Sequence, residues 1–160
     1  MKADERNMSE SSFTVLREIG VLTLDDKSEI HFSIDVYRNF RYVSIRRYID
    51  MDGLNAPTHD GVTLTPPIVR ALTAKISALS DEPQNIPPDS LGKFAKRPGI
   101  CIVAGFGMLK GVRGLVLRQW EDEKGWTKKG VWLPLEKIKE IKKLFQETKA
   151  ALDEQPEDDF

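Results

Sequence analysis

Val43-Ser44-Ile45-Arg46-Arg47-Tyr48 and Leu115-Val116-Leu117-Arg118-Gln119-Trp120 are two versions of one pattern. In each, two aliphatic residues alternate with residues that suit solvent, then an arginine is followed two positions on by an aromatic. A period of two marks a strand with one buried and one wet face. The echo extends downstream: Gly61-Val62-Thr63-Leu64-Thr65-Pro66 parallels Gly130-Val131-Trp132-Leu133-Pro134-Leu135, with the intervening loop three residues shorter. Two degenerate copies of a strand–loop–strand–helix unit account for this match, and a repeat sets the fold more firmly than any single segment.

Working outward, Ile30, Phe32, Ile34 and Val36 alternate with His31, Ser33, Asp35 and Tyr37, a second strand. Val15 to Leu24 is apolar enough for a strand before it, and Asp25-Asp26-Lys27-Ser28 supplies turn chemistry. Arg38-Asn39 makes a tight connection into the strand from Arg41 to Ile49. Asp50 to Asp60 reads as a polar loop, and Val62 with Leu64 as a short fourth strand. Thr65 is a good N-cap, and Pro66-Pro67 suits a first helical turn, where a missing N–H costs nothing. Ile68, Ala71, Leu72, Lys75, Ile76 and Leu79 keep a helical stripe until Ser80-Asp81-Glu82-Pro83 stops it.

The second half repeats the sequence of elements. Ile100 to Lys110 is a glycine-interrupted β segment whose stretch from Gly105 to Gly111 matches the repeat poorly. Gly114 to Glu121 is a strand, and Glu121 to Gly130 a polar turn region. Val131 and Leu133 form a short strand. Pro134 then opens a helix striped by Leu135, Ile138, Ile141, Leu144 and Phe145. The expected fold is α+β: a curved antiparallel sheet with a C-terminal helix, in two tandem copies. The expected divisions are a disordered N-terminus over 1–12, a first unit over 13–80, a proline-rich linker over 81–98, a second unit over 99–152 and an acidic disordered tail over 153–160.

Composition narrows the classes of function. Hydrophobic content is 40% and charged content 31%, ordinary for a globular protein. No apolar run approaches the roughly 20 residues that span a bilayer, and no signal-peptide pattern opens the chain. A single cysteine, Cys101, excludes an internal disulfide framework and a thiolate zinc cage, and fits a reducing, cytoplasmic setting. The net charge of −1 hides a division. Residues 1–92 carry 10 basic and 14 acidic side chains, residues 93–152 carry 14 basic and 6 acidic, and the last eight residues carry five acids and no base.

Enzyme signatures fail. Asp50-Met51-Asp52-Gly53 resembles the start of a calcium loop, but its twelfth position is Gly61 rather than glutamate. His31 and His59 lack metal-ligand spacing, and Gly105-Phe106-Gly107 lacks the lysine–serine pair of a phosphate loop. No catalysis, cofactor or metal is expected.

The wet faces carry the functional reading. If Val43 and Ile45 face the helix, then Tyr37, Tyr42, Arg46 and Tyr48 share the opposite face. By the same alternation Arg118, Trp120 and Trp132 share a face in the second copy. Aromatic planes beside arginines suit unpaired bases: stacking contributes roughly 1–3 kcal/mol per base and tolerates any sequence, while the cations follow the phosphates. A duplex hides its base faces, so single strands are favoured. The competing reading is that the aromatics are cross-strand pairs that stabilise the sheet. Recurrence of the pattern beside arginines weighs against it. Arg38, Lys110, Arg113, Lys128 and Lys129 complete the candidate nucleic-acid contacts.

These residues carry a resemblance to the transcriptional positive cofactor four family of single-stranded-DNA-binding proteins. Tyr37-Arg38-Asn39 leading into Tyr42 to Tyr48, then Gly61-Val62-Thr63-Leu64 before a helix, resemble its turn, its arginine-and-aromatic strand and its helix approach. Leu109-Lys110-Gly111, Leu117-Arg118-Gln119-Trp120 and Gly130-Val131-Trp132-Leu133 fall in the same places. The resemblance implies four-stranded sheets, each crossed by a helix, and two units facing each other as a homodimer or as a pseudo-dimer within one chain. It also implies single-stranded DNA as the partner. The family's tryptophan after the arginine-x-aromatic run is absent, Ile49 and Glu121 standing there. Its basic loop survives as Lys128-Lys129 in the second copy, against Thr58-His59-Asp60 in the first.

Asp153 to Phe160 resembles the tails of bacterial and phage replicative single-strand-binding proteins, which end in acids and an aromatic. That resemblance implies that Asp158, Asp159 and Phe160 dock on replication or recombination proteins, and that the tail competes with DNA for the basic surface. The alternative is a solubilising tail. The expected function is therefore non-specific binding of single-stranded DNA in replication, recombination or repair, of a phage type acting in the host cytoplasm, with no membrane partner. Two alternatives stand beside it: a transcriptional coactivator or regulator using the same sheet, and a protein-interaction scaffold.

Overall fold

The alternating segments become strands, and there are more of them than the alternation alone reveals. In the computed structural model, which describes residues 14–154, β1 (Thr14–Thr23), β2 (Ser28–Tyr37), β3 (Phe40–Met51) and β4 (Leu54–Leu64) form one antiparallel sheet. β5 (Gly92–Arg97), β6 (Ile100–Leu109), β7 (Val112–Glu121) and β8 (Gly125–Pro134) form a second, each in sequence order. Helix α1 (Pro66–Ser77) follows the first sheet, and α2 (Ile138–Glu154) follows the second after a short 3-10 turn, Leu135–Lys137. The fold is α+β, in two tandem copies.

Three segments expected to be irregular are strands. Asp50 to Asp60 is not a loop: Asp52 (φ +56°) and Gly53 (φ +86°) turn the chain in two residues, and β4 pairs back from Leu54. Glu121 to Gly130 is likewise strand on both sides of a turn over 122–124, with Trp126 opposite Trp120. Both arms project beyond the core, so neither face is buried and no alternation betrays them. Gly92–Arg97 lies inside the expected linker and pairs with β6 across the Pro98-Gly99 turn. Its lysines and arginine suit an edge strand and disguise it. Two-residue turns with both central residues at positive φ also close β2–β3 (Arg38, Asn39) and β6–β7 (Lys110, Gly111). That geometry matches the right-handed twist of paired strands.

The repeat is a repeat of register. Phe32 faces Ile45 and Ser33 faces Ser44 in the first sheet; Ala104 faces Leu117 and Gly105 faces Val116 in the second. The glycine-rich β6 therefore aligns position for position with β2. Both sheets break register at the same place, between Arg46 and Tyr48 and between Arg118 and Trp120. Thr58 Oγ1 donates to the Arg47 carbonyl at 2.9 Å, and Thr127 Oγ1 to the Gln119 carbonyl at 3.0 Å. A threonine thus staples each bulge, and bulges increase local twist.

One core serves both units. Ile30, Phe32, Val43, Ile45 and Leu64 of the first sheet are buried together with Ile102, Leu115, Leu117 and Leu133 of the second. Helix α2, although it ends the second unit, packs on β1 and β2 of the first, with Phe145 edge-on to Phe32 at 5.4 Å. It approaches β1 so closely at Gly20 that an added Cβ would lie 2.7 Å from Leu144. Its C-terminal end is held by Arg17 on Glu154 (2.6 Å), Arg41 on the Leu152 carbonyl (3.2 Å) and Arg70 on Asp153 (3.2 Å). α1 packs against α2, and β4 lies against β8. In the α1 stripe Val69 and Thr73 are buried, whereas Ala71 and Lys75 face out. Thr65 takes the extended N-cap conformation without a side-chain bond.

Lys96 of β5 crosses between the sheets. Its Nζ donates to Thr63 of β4 at 2.7 Å and to Gln119 of β7 at 3.1 Å. Burial first, then the charges of Arg97 and Lys129, bring its pKa down to about 7, with Glu121 opposing. The unfolded chain holds this proton up to about 10.5, so between those values it binds more protons than the folded one and stability rises with pH. Chemical denaturation from pH 6 to 10 should show that rise. Lys96→Met should flatten it, and an unchanged slope would rule Lys96 out as its source.

Candidate nucleic-acid interface

The outer face of the second sheet is shaped by glycines. Gly105 and Gly107 of β6 and Gly114 of β7 lie on it beside Val116 and Trp132. A Cβ at Gly114 would lie 2.1 Å from Trp132 Nε1, and one at Gly107 would lie 3.2 Å from Val116. The indole of Trp132 therefore lies down over Gly114, with Nε1 donating to the Gly107 carbonyl at 3.4 Å. Glycine within a strand often marks such a close approach. The result is an aromatic surface flat against the sheet.

Cations surround it. Lys110 occupies the tight β6–β7 turn, and Arg118 and Lys128 flank Trp132 in a cleft of about 900 Å³. Val112 and Val116 are among its apolar lining residues, and Arg47 and His59 of the first sheet line it as well. Arg47 is engaged by Asp60 through two bonds of 2.9 and 2.7 Å. Neither Lys110 nor Lys128 has an ion pair among the described residues. Beyond the bulge, Trp120 meets Trp126 edge-to-face at 5.2 Å, and the Arg118 guanidinium sits 5.0 Å from the Trp126 ring centre. Trp126 is 49% exposed. The arrangement can hold phosphates beside two separate stacking surfaces, which is what an unpaired strand requires.

The sequence-derived residues divide between places. Lys110, Arg118, Lys128 and Trp132 come together in the cleft, with Trp120 on the same face. Lys129 does not line it and instead bears on Lys96. Arg113 turns to the other face, reaching the Pro83 and Pro87 carbonyls at 3.5 and 3.4 Å, with its guanidinium 5.5 Å from the Phe106 ring centre. It braces the chain between the units. Tyr37, Tyr42, Arg46 and Tyr48 share the outer face of the first sheet, as alternation requires. Arg38 sits 5.2 Å from the Tyr37 ring centre at the turn beside them. Arg46 is bent over its bulge, donating to the Thr58 carbonyl at 2.8 Å, because Gly61 leaves room for its guanidinium. Arg118 does the same more loosely, at 3.4 Å from the Thr127 carbonyl. Asp158, Asp159 and Phe160, like residues 1–12, lie outside the described residues.

The two outer faces differ electrostatically. The first carries Glu18, Glu29 and Asp35. Glu29 pairs with His31 at 2.7 Å, and burial raises the Asp35 pKa, with Glu18 adding to the rise. His31 stacks on Tyr48 at 3.9 Å. Burial likewise raises the Tyr48 hydroxyl. Positive charge thus gathers at the second face and negative charge at the first. Trp126 escapes the sequence reading because residues 121–130, lacking a buried face, imitate a loop, and the glycine bed because the indole that covers it comes from β8, distant in sequence from Gly107. Among the described residues no three His, Cys, Asp or Glu side chains gather to hold a metal. No helix there is long and apolar enough to cross a membrane.

No family model and no curated protein matches the sequence. Among solved structures, the chain aligns with the plant transcriptional regulator PBF-2 at a TM-score of 0.36 and 9% identity, over 88% of this chain and 89% of that one. A likeness at that level carries no argument for fold or function.

Gly114→Ala tests the glycine bed. The added methyl should lift the indole of Trp132, shift the tryptophan emission and cost about 1–3 kcal/mol of stability, as overpacking does. Denaturant titration followed by fluorescence reads both effects. Unchanged emission would mean that the indole does not rest on the strand.

Proposed function

We propose that this chain binds single-stranded DNA without sequence-specific chemistry, using the outer face of the second sheet as its main platform. The observation that carries the reading is Trp132, flat on its glycine bed among Lys110, Arg118 and Lys128. An indole packed this way has lost its conformational freedom before a base arrives, so stacking costs little further ordering. No catalytic step or cofactor belongs to the proposal. Replication, recombination or repair is the process such non-specific binding serves best, with transcriptional regulation through the same face as the second reading. The order and spacing of the motifs, now joined by their common register, support kinship with the cofactor-four proteins. The acidic segment ending in Phe160 is proposed to recruit a replication or recombination partner.

Labelled oligonucleotides, single-stranded and duplex, titrated at two salt concentrations, provide the test. Single strands should bind at least about tenfold more tightly than a duplex of equal length. Trp132→Ala should weaken single-strand binding by roughly 1–3 kcal/mol, the usual loss for one stacked base. Arg118→Ala should lower the salt dependence as a phosphate contact is removed. Equal affinity for both forms, or a folded Trp132→Ala variant that binds normally, would exclude the stacking platform.

A further inference from the structure

The outer face of the first sheet holds a second recess, of about 480 Å³, that the phosphate-binding reading leaves unused. Its floor is a cross-strand pair of serines, Ser33 opposite Ser44. Small side chains there leave a depression between Glu18 and Asp35 on one side and the stacked His31 and Tyr48 on the other. Asp35 is only 7% exposed although it stands on an outward face, and its Oδ1 accepts one bond, from Ser33 Oγ at 2.8 Å. Ser44 is 9% exposed, and its hydroxyl has no hydrogen-bond partner among the described residues. A largely buried carboxylate with acceptor capacity to spare and a hydroxyl without a protein partner therefore both open onto the recess, where they can meet a ligand.

Comparison with the second sheet sharpens this. The register places Gly105 where the first sheet has Ser33, Gly107 where it has Asp35, Val116 where it has Ser44 and Val103 where it has His31. The hydrogen-bonding groups are thus particular to the first sheet, while the second keeps the flat surface. The two recesses adjoin, since His59 lines both. His59 marks the place where a strand held in the cleft would come nearest the acidic recess.

We propose that this recess reads guanine, splayed from the strand held by the second sheet. The proposal rests on the single-strand reading above. Carboxylates repel phosphate but attract an edge rich in donors. Guanine alone among the four DNA bases presents two adjacent donors, N1–H and the N2 amino group, on its Watson–Crick edge. Adenine and cytosine set one donor beside an acceptor, and thymine sets one donor between two acceptors. An ionised carboxylate is an acceptor with two oxygens, which matches the guanine pair and no other. Arg46, which lines the recess, is a donor suited to O6, and the His31–Tyr48 pair offers an aromatic wall. Splayed bases held between aromatic side chains and read on this edge are a general mode of single-strand recognition.

The test uses the whole chain and a thymidine oligonucleotide carrying at its centre dT, dG or dI, the last lacking only the N2 amino group. The dG strand should bind about tenfold more tightly than the dT strand, as one bidentate base contact provides, and dI should lose most of that gain. Asp35→Asn, checked for folding by circular dichroism, should bring dG and dT within twofold. If that variant does not fold, the dG-against-dI comparison on the unaltered protein decides. Tight dT binding without a dG preference overturns this proposal and leaves the platform standing. If the dT strand does not bind, the platform reading has failed, and guanosine 5′-monophosphate followed by NMR judges the recess alone. Shifts at Ser33, Asp35 and Tyr48 that vanish in Asp35→Asn would then support it, and their absence would overturn it.

Discussion

The packing of α2 onto the first sheet is the constraint on which the rest depends. A four-stranded sheet with a single helix buries little, and small units of this kind are marginal by themselves. Here the helix that ends the second unit crosses to the first, and Phe145 against Phe32 joins the two inner faces into one apolar interior. Because both inner faces are consumed by that core, both outer faces are free of structural duty at their centres. Two tandem copies thus present two surfaces over a single interior.

Those surfaces have parted company on a common frame. The bulge, its threonine staple, the glycine beneath the arginine and the two-residue turn recur in both units. The side chains exposed between these points do not recur. Glycine, valine and tryptophan in the second sheet make a flat, dry surface with cations around it. Serine, aspartate and histidine in the first make a recess with hydrogen-bonding groups and negative charge. Backbone geometry was retained and side-chain chemistry was divided, as expected when function resides in sites set on a fold rather than in the fold itself.

Much of this was legible in the residue order. The β2 and β3 alternation showed which side chains share a face, because Ile30, Phe32, Val43 and Ile45 need burial and their neighbours do not. The two-copy architecture followed from Val43 to Tyr48 and Leu115 to Trp120. What escaped were strands with no buried face. Leu54 to Asp60 and Gly125 to Lys129 pair through the backbone and bury neither face, so their polar side chains imitate a loop. β5 was hidden by prolines on both sides and by its charges. At the sites, strand parity places Arg118, Trp120 and Trp132 on one face and Arg113 with Leu115 and Leu117 on the other, but it cannot show that Arg113 braces the connection. Nor could it show that Gly114 exists to seat an indole. Such facts depend on distances between strands far apart in sequence.

The bulges also divide each unit into a part whose length is locked and a part whose length is not. Arg46 faces Gly61 and Arg118 faces Gly130, so the first pair lies 15 positions apart and the second 12. The whole difference lies outboard of the staple, in the hairpin arm, whereas from the arginine back to the β2–β3 or β6–β7 turn the spacing is identical. Insertions and deletions in the arm change how far it extends from the sheet without moving any residue of the interior. Thr58 and Thr127 act as hinge pins at which a growing or shrinking arm is isolated from the core. The span of surface offered to a ligand can therefore evolve by whole residues while the fold behind it stays in register.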